Sequence, residues 1–403
     1  MTDQARDFDI IVYGASGFTG RLVAEYLAAT HKDVRWAMAG RDRAKLEAVR
    51  AEIGARVEIL HADARDAASI EAMARRAKVV LTTVGPYQRY GEPLVAACAR
   101  TGTDYVDLCG EPAWMAAMIA KYDAAAKASG ARIVFSCGFD SIPFDCGVFF
   151  LQEEAKKRFG APCPRVRGRV RAMKGGFSGG TVASLLATLE AGARDPSVPA
   201  LMRDPYALIN NPPAVVQADG ADAVFDADLR QWAAPFVMAA INTKNVHRSN
   251  ALMNWAYGRD FTYEEMQSMG AGEAGARRAR SAVRSARMQA GLLSFAPTRA
   301  LLRRFALPKP GQGPSKHERE TGRYDVLYVG DFPDGRGVRA SVSGDRDPGY
   351  GSTSKMISEA ALCIAAIARS QTAGGMWTPA AAMGGALIAR LQARAGLAFR
   401  IEA

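Results

Sequence analysis

The chain is 403 residues long, 49% hydrophobic and 23% charged, with a formal net charge of +11; this excludes a disordered or fibrous chain and leaves room for two ordinary domains. Six cysteines without a CxxC pair and four scattered histidines exclude a zinc centre of the usual spacing. No run approaches the roughly 18 apolar residues of a membrane span, and the acidic opening MTDQARDFDI does not read as a secretory signal, so a cytoplasmic protein with reduced thiols is expected.

Over the first 150 residues, short apolar runs alternate with amphipathic stretches. Phe8–Gly14 reads as a strand and Phe18–Ala29 as a helix. Arg35–Gly40 is a second strand, followed by a helix over Ala44–Gly54. Val57–Asp63 is a third, with a short helix over Ala67–Arg76. Val79–Gly85 is a fourth, with a helix from Pro93 to Thr101. Asp104–Leu108 is a fifth, with a helix over about Ala113–Ser129, and Arg132–Gly138 is a sixth. Strands that are apolar almost throughout, each followed by a helix, form a parallel sheet covered on both faces. Right-handed crossovers then predict a doubly wound Rossmann arrangement.

Beyond it, Ile142–Arg158 reads as a helix leaving the sheet, with Pro162 and Pro164 at a boundary. Strands at Arg165–Ala172, Gln231–Ala240, Arg323–Val329 and Val338–Ser343 mix with helices, which predicts an α+β domain with a mostly antiparallel sheet. From about Ser352 onward, helices are expected to pack back on the first domain. The expected division is a Rossmann domain over 1–150, a substrate domain over 151–347 and returning helices over 348–403. The fold class is α/β, with a second α+β domain.

The stretch IIVYGASGFTG, Ile10–Gly20, places glycines at 14, 17 and 20 where the first strand turns into the first helix. A helix N-terminus at that turn offers free N–H groups and a favourable dipole to a pyrophosphate. Gly14 permits the tight turn, Gly17 removes a Cβ near the phosphate, and Gly20 lets helix and strand approach. Gly14, Ala15, Ser16, Gly17, Phe18, Thr19 and Gly20 are therefore the candidate dinucleotide contacts.

An NAD site usually places an acid after the second strand, accepting from the ribose 2′-OH. This chain has Arg41-Asp42-Arg43 there. The two arginines suit a 2′-phosphate, and Asp42 is expected to turn outward or cap the next helix. NADP(H) is the expected cofactor, against the alternative of a solvated helix start. Ligands lie beyond the carboxyl ends of such strands. Asp63 is therefore a candidate for the adenine edge, and Val84, Gly85 and Pro86 for the nicotinamide half, although plain turns would look the same.

The combination of VYGASGFTG, AGR, TTVGPYQRYGEPLVAACARTGTDYVDLCGE and SCGFDSIPFDCG resembles the saccharopine dehydrogenase-like oxidoreductases, and more narrowly the branch called trans-acting enoyl reductases. SGGTVAS at Ser178–Ser184, LPKPGQGPS at Leu307–Ser315 and GGMWTPAAAMGGALIARL at Gly374–Leu391 agree, so the likeness runs almost end to end. The resemblance implies an NADPH-dependent oxidoreductase with its substrate between the second sheet and the nucleotide. For the narrower branch it implies reduction of enoyl groups for a polyketide synthase that builds mycobacterial lipids, and hence a role in lipid or glycolipid synthesis.

Enoyl reduction needs a hydride over the β carbon, a donor to the enolate oxygen and a proton for the α carbon. The candidates stand at the strand ends: Tyr87, Glu111, Asp140, Ser141 and Asp145. Tyr87 suits the oxyanion or acid role, because a phenol donates without ionising. Asp140 and Asp145 around Pro143 equally resemble a helix-capping turn. No Tyr-x-x-x-Lys pair stands where it would serve. Ser178-Gly179-Gly180-Thr181 reads either as a second cradle or as a plain cap of a helix over Val182–Ala191.

Between Ala274 and His317 lie ten Lys or Arg and no acid, nearly the whole excess charge. Val283, Ala286, Met288, Leu292, Leu293, Phe295, Leu301, Leu302 and Phe305 intersperse them. This basic amphipathic segment fits an anionic membrane or lipid substrate, an acidic acyl carrier protein, or a solvated face; nothing supports nucleic acid. A homo-oligomer is compatible with the sequence. The leading reading is an NADPH-dependent reductase of a lipid-like or thioester-bound enoyl group. The alternatives are a saccharopine-type amino acid or imine reductase, and an NADP-binding lipid-associated or redox-sensing protein without turnover.

Overall fold

The computed structural model describes residues 6–176, 179–294, 297 and 313–402. Six strands come from the N-terminal part: β1 (Phe8–Tyr13), β2 (Trp36–Gly40), β3 (Glu58–His61), β4 (Ala77–Thr82), β5 (Asp104–Val106) and β6 (Arg132–Val134). Eight follow: β7 (Arg165–Lys174), β8 (Val224–Asp226), β9 (Gln231–Pro235), β10 (Thr262–Gly270), β11 (Arg323–Asp331), β12 (Gly337–Gly344), β13 (Gly375–Trp377) and β14 (Leu397–Glu402).

The first sheet has the order β13-β6-β5-β4-β1-β2-β3 and every pairing in it is parallel. Its order over the first six strands is the doubly wound one. Both faces are covered, so Ile10, Ile11, Val12, Val79, Val80 and Leu81 are all fully buried and the strands show no alternation. Helices return between them, among them Phe18–Thr30, Arg43–Glu52, Ala67–Arg75, Glu92–Thr101 and Pro112–Ser129. Asp66 caps the third of these through the Ala68 and Ser69 N–H groups.

The second sheet runs β14-β12-β11-β7-β10-β9-β8, and only the β7–β10 pair is parallel. Here the period of two is visible. Val166, Gly168 and Val170 share a face with Tyr328 and lie toward the helix Ile142–Phe159, where Gly147 leaves room for the Tyr328 ring. Arg167 and Arg169 point the other way and are buried in ion pairs. Arg167 meets Asp226 at 2.8 Å and Asp331 at 2.8 Å; Arg169 meets Asp226 at 3.0 Å and Glu264 at 2.5 Å. Such buried guanidinium groups need this many partners to offset their desolvation.

The C-terminal part does more than return helices. Thr353–Ala366 packs on the helix Phe18–Thr30 and on β4 and β5, while β13 extends the first sheet and β14 the second. Both added strands are too short or too mixed in pattern to stand out in the sequence. The expected strand Gln231–Ala240 stops at Pro235, and Ala239–Leu252 is a helix. Its inward face carries Asn242, Asn245 and Ser249, which hides the helical apolar period. The fourth strand ends at Thr82 and the sixth at Val134, earlier than expected, because their last residues turn into the loops described below. Among the described residues no helix is long and apolar enough to cross a membrane.

Glu359 fastens the returning helix. Its side chain is fully buried and accepts from Tyr26 Oη at 2.8 Å, meets His31 Nε2 at 2.7 Å and pairs with Arg390 Nη2 at 2.7 Å. These partners hold its pKa below the ordinary glutamate value despite burial. A depressed carboxyl contributes stability above its unfolded pKa and loses it as pH falls through the lower folded value. Glu359→Gln should therefore cost about 3 kcal/mol near neutral pH. In denaturant titrations the gap from the unmodified protein should hold at pH 7 and narrow progressively below about 4.5.

Candidate active site

The turn between β1 and the helix Phe18–Thr30 is closed by contact. Gly14 has φ +90°, and a Cβ on it would lie 2.7 Å from Val84 Cγ2. A Cβ on Gly20 would collide with the Gly14 carbonyl, so only glycine lets the helix come this near the strand. The helix starts after Gly17 with no side-chain cap and no acid in its first turn. Its leading N–H groups have no side-chain partner, which is the arrangement a pyrophosphate requires. Ala15 is buried, while Ser16, Gly17, Phe18 and Thr19 remain accessible.

Accessible positions continue along the carboxyl edge of the sheet: Arg41 after β2, Thr83 to Gly85 after β4, Gly110 after β5 and Asp140 after β6. An extended dinucleotide would fit along such a line. Of the two arginines after β2, Arg43 pairs with Glu47 at 2.9 Å. Arg41 is exposed and makes no hydrogen bond or ion pair among the described residues, although Asp63 feels its charge, so it is the one available to a 2′-phosphate. Asp42 caps the next helix by accepting from the Lys45 N–H at 3.1 Å, as its position in the sequence implied. Asp63 accepts from the Arg65 N–H at 3.0 Å and pairs with its guanidinium. Its carboxylate is thereby drawn toward its own loop.

Tyr87 is not placed as expected. Its ring is buried against Trp114, and its hydroxyl donates to Thr82 O at 3.3 Å while accepting from the Leu108 N–H at 3.0 Å. The phenol points into the fold and bridges the ends of β4 and β5, which leaves it no access to a substrate. Its backbone explains the direction: Glu111 accepts from the N–H groups of Tyr87 and Gln88, each at 2.9 Å. Glu111 is therefore a capping group for that loop. Pro86 is buried beside it, whereas Val84 and Gly85 stay on the open edge.

Asp140 and Ser141 stand where the first domain meets the second. Ser141 is fully buried and its Oγ accepts from Asn245 Nδ2 at 2.8 Å, so it positions the loop from beneath. Asp140 is partly exposed, with Oδ2 near Gly110, but its Oδ1 is buried without a partner among the described residues. Burial raises its pKa to about 7. Asn242 Oδ1 and Asn245 Oδ1 are likewise buried without partners. Asn242 donates to Glu265 Oε1 at 2.7 Å, and Tyr263 donates to Glu265 Oε2 at 2.8 Å. Glu265 lies close enough to feel the charge of Asp140, and burial raises its own pKa to about 8. A part-exposed acid thus sits above a buried polar cluster rich in acceptors.

Sequence reasoning missed Asn242, Asn245, Tyr263 and Glu265. The signal was there as polar residues three apart on one helix and two apart on one strand, but without the fold it reads as a solvated face. Asp107 was also missed. It is buried and accepts from Tyr105 Oη, the Cys109 N–H and the Ser136 N–H, which joins the loops after β5 and β6. Asp145 accepts from Ser249 Oγ at 2.5 Å and the Ala380 N–H at 2.8 Å, so it is a tie and not a contact for substrate.

The helix Gly179–Arg194 flanks this edge. Ser184 lies beside Gly85, Thr188 accepts from Gln88, and Glu190 pairs with Arg89 at 3.0 Å. Thr181 bonds Tyr350 at 2.7 Å, and the Tyr350 ring stands edge-on to Phe18 at 5.3 Å. Ser178 and residues 307–312 of the loop noted in the sequence lie outside the described residues, as do Phe295, Arg299, Leu301, Leu302, Arg303, Arg304, Phe305 and Lys309. The rest of the basic segment includes the helix Gly272–Ser294, which buries Ala276, Ala279 and Val283. Met288, expected on the apolar face, is 62% exposed.

A doubly wound sheet with this cradle and an unpaired arginine, Arg41, after β2 defines an NADP-dependent oxidoreductase. Residues 10–134 match the family described as the saccharopine dehydrogenase NADP binding domain. A Mycobacterium tuberculosis protein, whose name gives trans-acting enoyl reductase as a provisional assignment, is 42% identical over 98% of this chain and 97% of its own length. Proteins named trans-acting enoyl reductase from Mycobacterium bovis and Mycobacterium ulcerans are each 39% identical over 97% of both chains. The chain belongs to this trans-acting enoyl reductase branch of the saccharopine dehydrogenase-like oxidoreductases, and its cofactor is NADP(H). Apo saccharopine dehydrogenase (L-Glu forming) from Saccharomyces cerevisiae shares the fold, with a TM-score of 0.53 at 12% identity over 98% of this chain and 100% of that one.

Two variants test the cofactor contacts. Arg41→Ala should weaken NADPH binding by about tenfold or more while leaving NADH binding unchanged, since one charge-assisted contact to the 2′-phosphate is lost. Arg43→Ala should have little effect, because Glu47 already holds that side chain. Nucleotide fluorescence titrations measure both.

Proposed function

We propose that this protein reduces the double bond of an enoyl thioester on a lipid-like acyl chain. The observation that carries the reading is near end-to-end identity of 39–42% with relatives bearing that name, in a chain that keeps the phosphate cradle and an accessible acid at the carboxyl edge. NADPH supplies the hydride when bound. Gly14 to Gly20 and Arg41 hold the nucleotide along the edge, and the helix Gly179–Arg194 runs beside Gly85. Asp140 is the proton source for the α carbon: it is accessible on one side, and burial keeps much of it protonated at neutral pH. Ser141, Asn245 and Asn242 fix the loop that presents it.

Asp140→Asn should lower kcat for a short enoyl thioester such as crotonyl-pantetheine by about 10²–10⁴ while leaving the NADPH dissociation constant unchanged. In the unmodified protein the rate should fall as pH rises through about 7, because the acid form is then lost. Full activity of the Asn variant would remove Asp140 from the reaction.

A second reading has its own support. Asp140, part-exposed and with one carboxylate oxygen unpaired among the described residues, suits a substrate carrying N–H donors, as an amine or imine of the saccharopine type does. Turnover of an amino acid with an aldehyde and NADPH, together with silence toward enoyl thioesters, would favour it. Tight NADPH binding with neither turnover would leave a nucleotide-binding protein without chemistry.

A further inference from the structure

The basic helix Gly272–Ser294 does not bury its arginines. Arg277, Arg280, Arg284 and Arg287 are all exposed, and their spacing of three, four and three residues lines them up along one side. At 1.5 Å per residue the row is about 15 Å long. Arg280 lies over the Trp232 ring at 5.6 Å, and Arg287 meets Asp222 at 2.6 Å across an exposed contact. Arg277 and Arg284 have no partner among the described residues. The helix's apolar residues Ala276, Ala279 and Val283 are buried, and it packs on β9, β10 and the helix Gly179–Arg194. That last helix passes beside Gly85 at the carboxyl edge of the first sheet, so the basic helix lies one element away from that edge.

We propose that this row is the docking surface for an acidic, helical carrier protein that delivers the enoyl group. The inference rests on the enoyl thioester reading above. Charge complementarity and the length of the row match an acidic helix laid alongside it. Insertion into a membrane fits less well, because an interfacial helix needs a continuous free apolar face: alongside the row Ala276, Ala279 and Val283 are turned inward, and the exposed Met288 and Leu292 come only past its end.

The test uses an acidic acyl carrier protein loaded with crotonyl-phosphopantetheine and the full-length, NADPH-saturated protein, with binding read by biolayer interferometry. The unmodified protein should bind, and binding should weaken steeply with added salt. The double variant Arg277→Glu/Arg284→Glu should lose about tenfold or more in affinity, with NADPH binding and reduction of free crotonyl-pantetheine unchanged. No binding to the unmodified protein, or equal binding by the variant, overturns the proposal. So does binding of phosphatidylglycerol vesicles in place of the carrier. If neither form oxidises NADPH with crotonyl-pantetheine, it is the enoyl reading that fails, and the binding result still stands by itself.

Discussion

The carboxyl group of Asp145 is the junction on which the site depends. It lies near the start of the helix Ile142–Phe159, and its two oxygens reach two other helices, one through Ser249 and one through the backbone of Ala380. Ser249 in turn meets Thr378 Oγ1 at 2.5 Å. Three helices distant in sequence are thus gathered at one buried point, and the Ala380 N–H at a helix start receives the acceptor it lacks. Burial lifts the Asp145 pKa to about 7 against the pull of those donors, so the junction is held at a cost in desolvation. What it secures is the relative placement of Asp140, on one side, and the asparagine helix, on the other.

The first sheet was legible almost strand by strand, because strands buried on both faces are written as unbroken apolar runs. The glycines at 14, 17 and 20 were legible for a different reason: each answers a steric demand that no other residue meets. The second domain was harder to read. β8 has three residues, and β13 has three and joins the first sheet from the far end of the chain. β10 carries Glu264 and Glu265 in succession, one turned to the buried arginines and one to the candidate site. Alternation of that kind looks like an exposed strand until both faces are known to be covered.

Tyr87 shows where residue chemistry misleads. A phenol after the fourth strand is well suited to donate to an oxyanion, and nothing in the sequence indicates which way its ring turns. The direction is decided by Glu111, twenty-four residues on, which takes the two backbone N–H groups and commits the side chain to the interior. Similarly, Arg41 and Arg43 look equivalent in the sequence, yet Glu47 one helical turn beyond Arg43 separates their roles. In both cases a carboxylate, brought up by the fold in one and by helical spacing in the other, selects among candidates of equal chemical merit.

The far origin of β13 bears on how the chain is made. It pairs with β6, whose own strand precedes it by some 240 residues in sequence, 132 to 375. During synthesis the six N-terminal strands can assemble, but the β6 edge then stays open, with unpaired backbone groups, until Gly375–Trp377 has left the ribosome. Exposed edges recruit other strands. The nascent protein therefore passes through a long interval in which its most nearly complete sheet is also its stickiest surface, and that window is the natural point of entry for a chaperone.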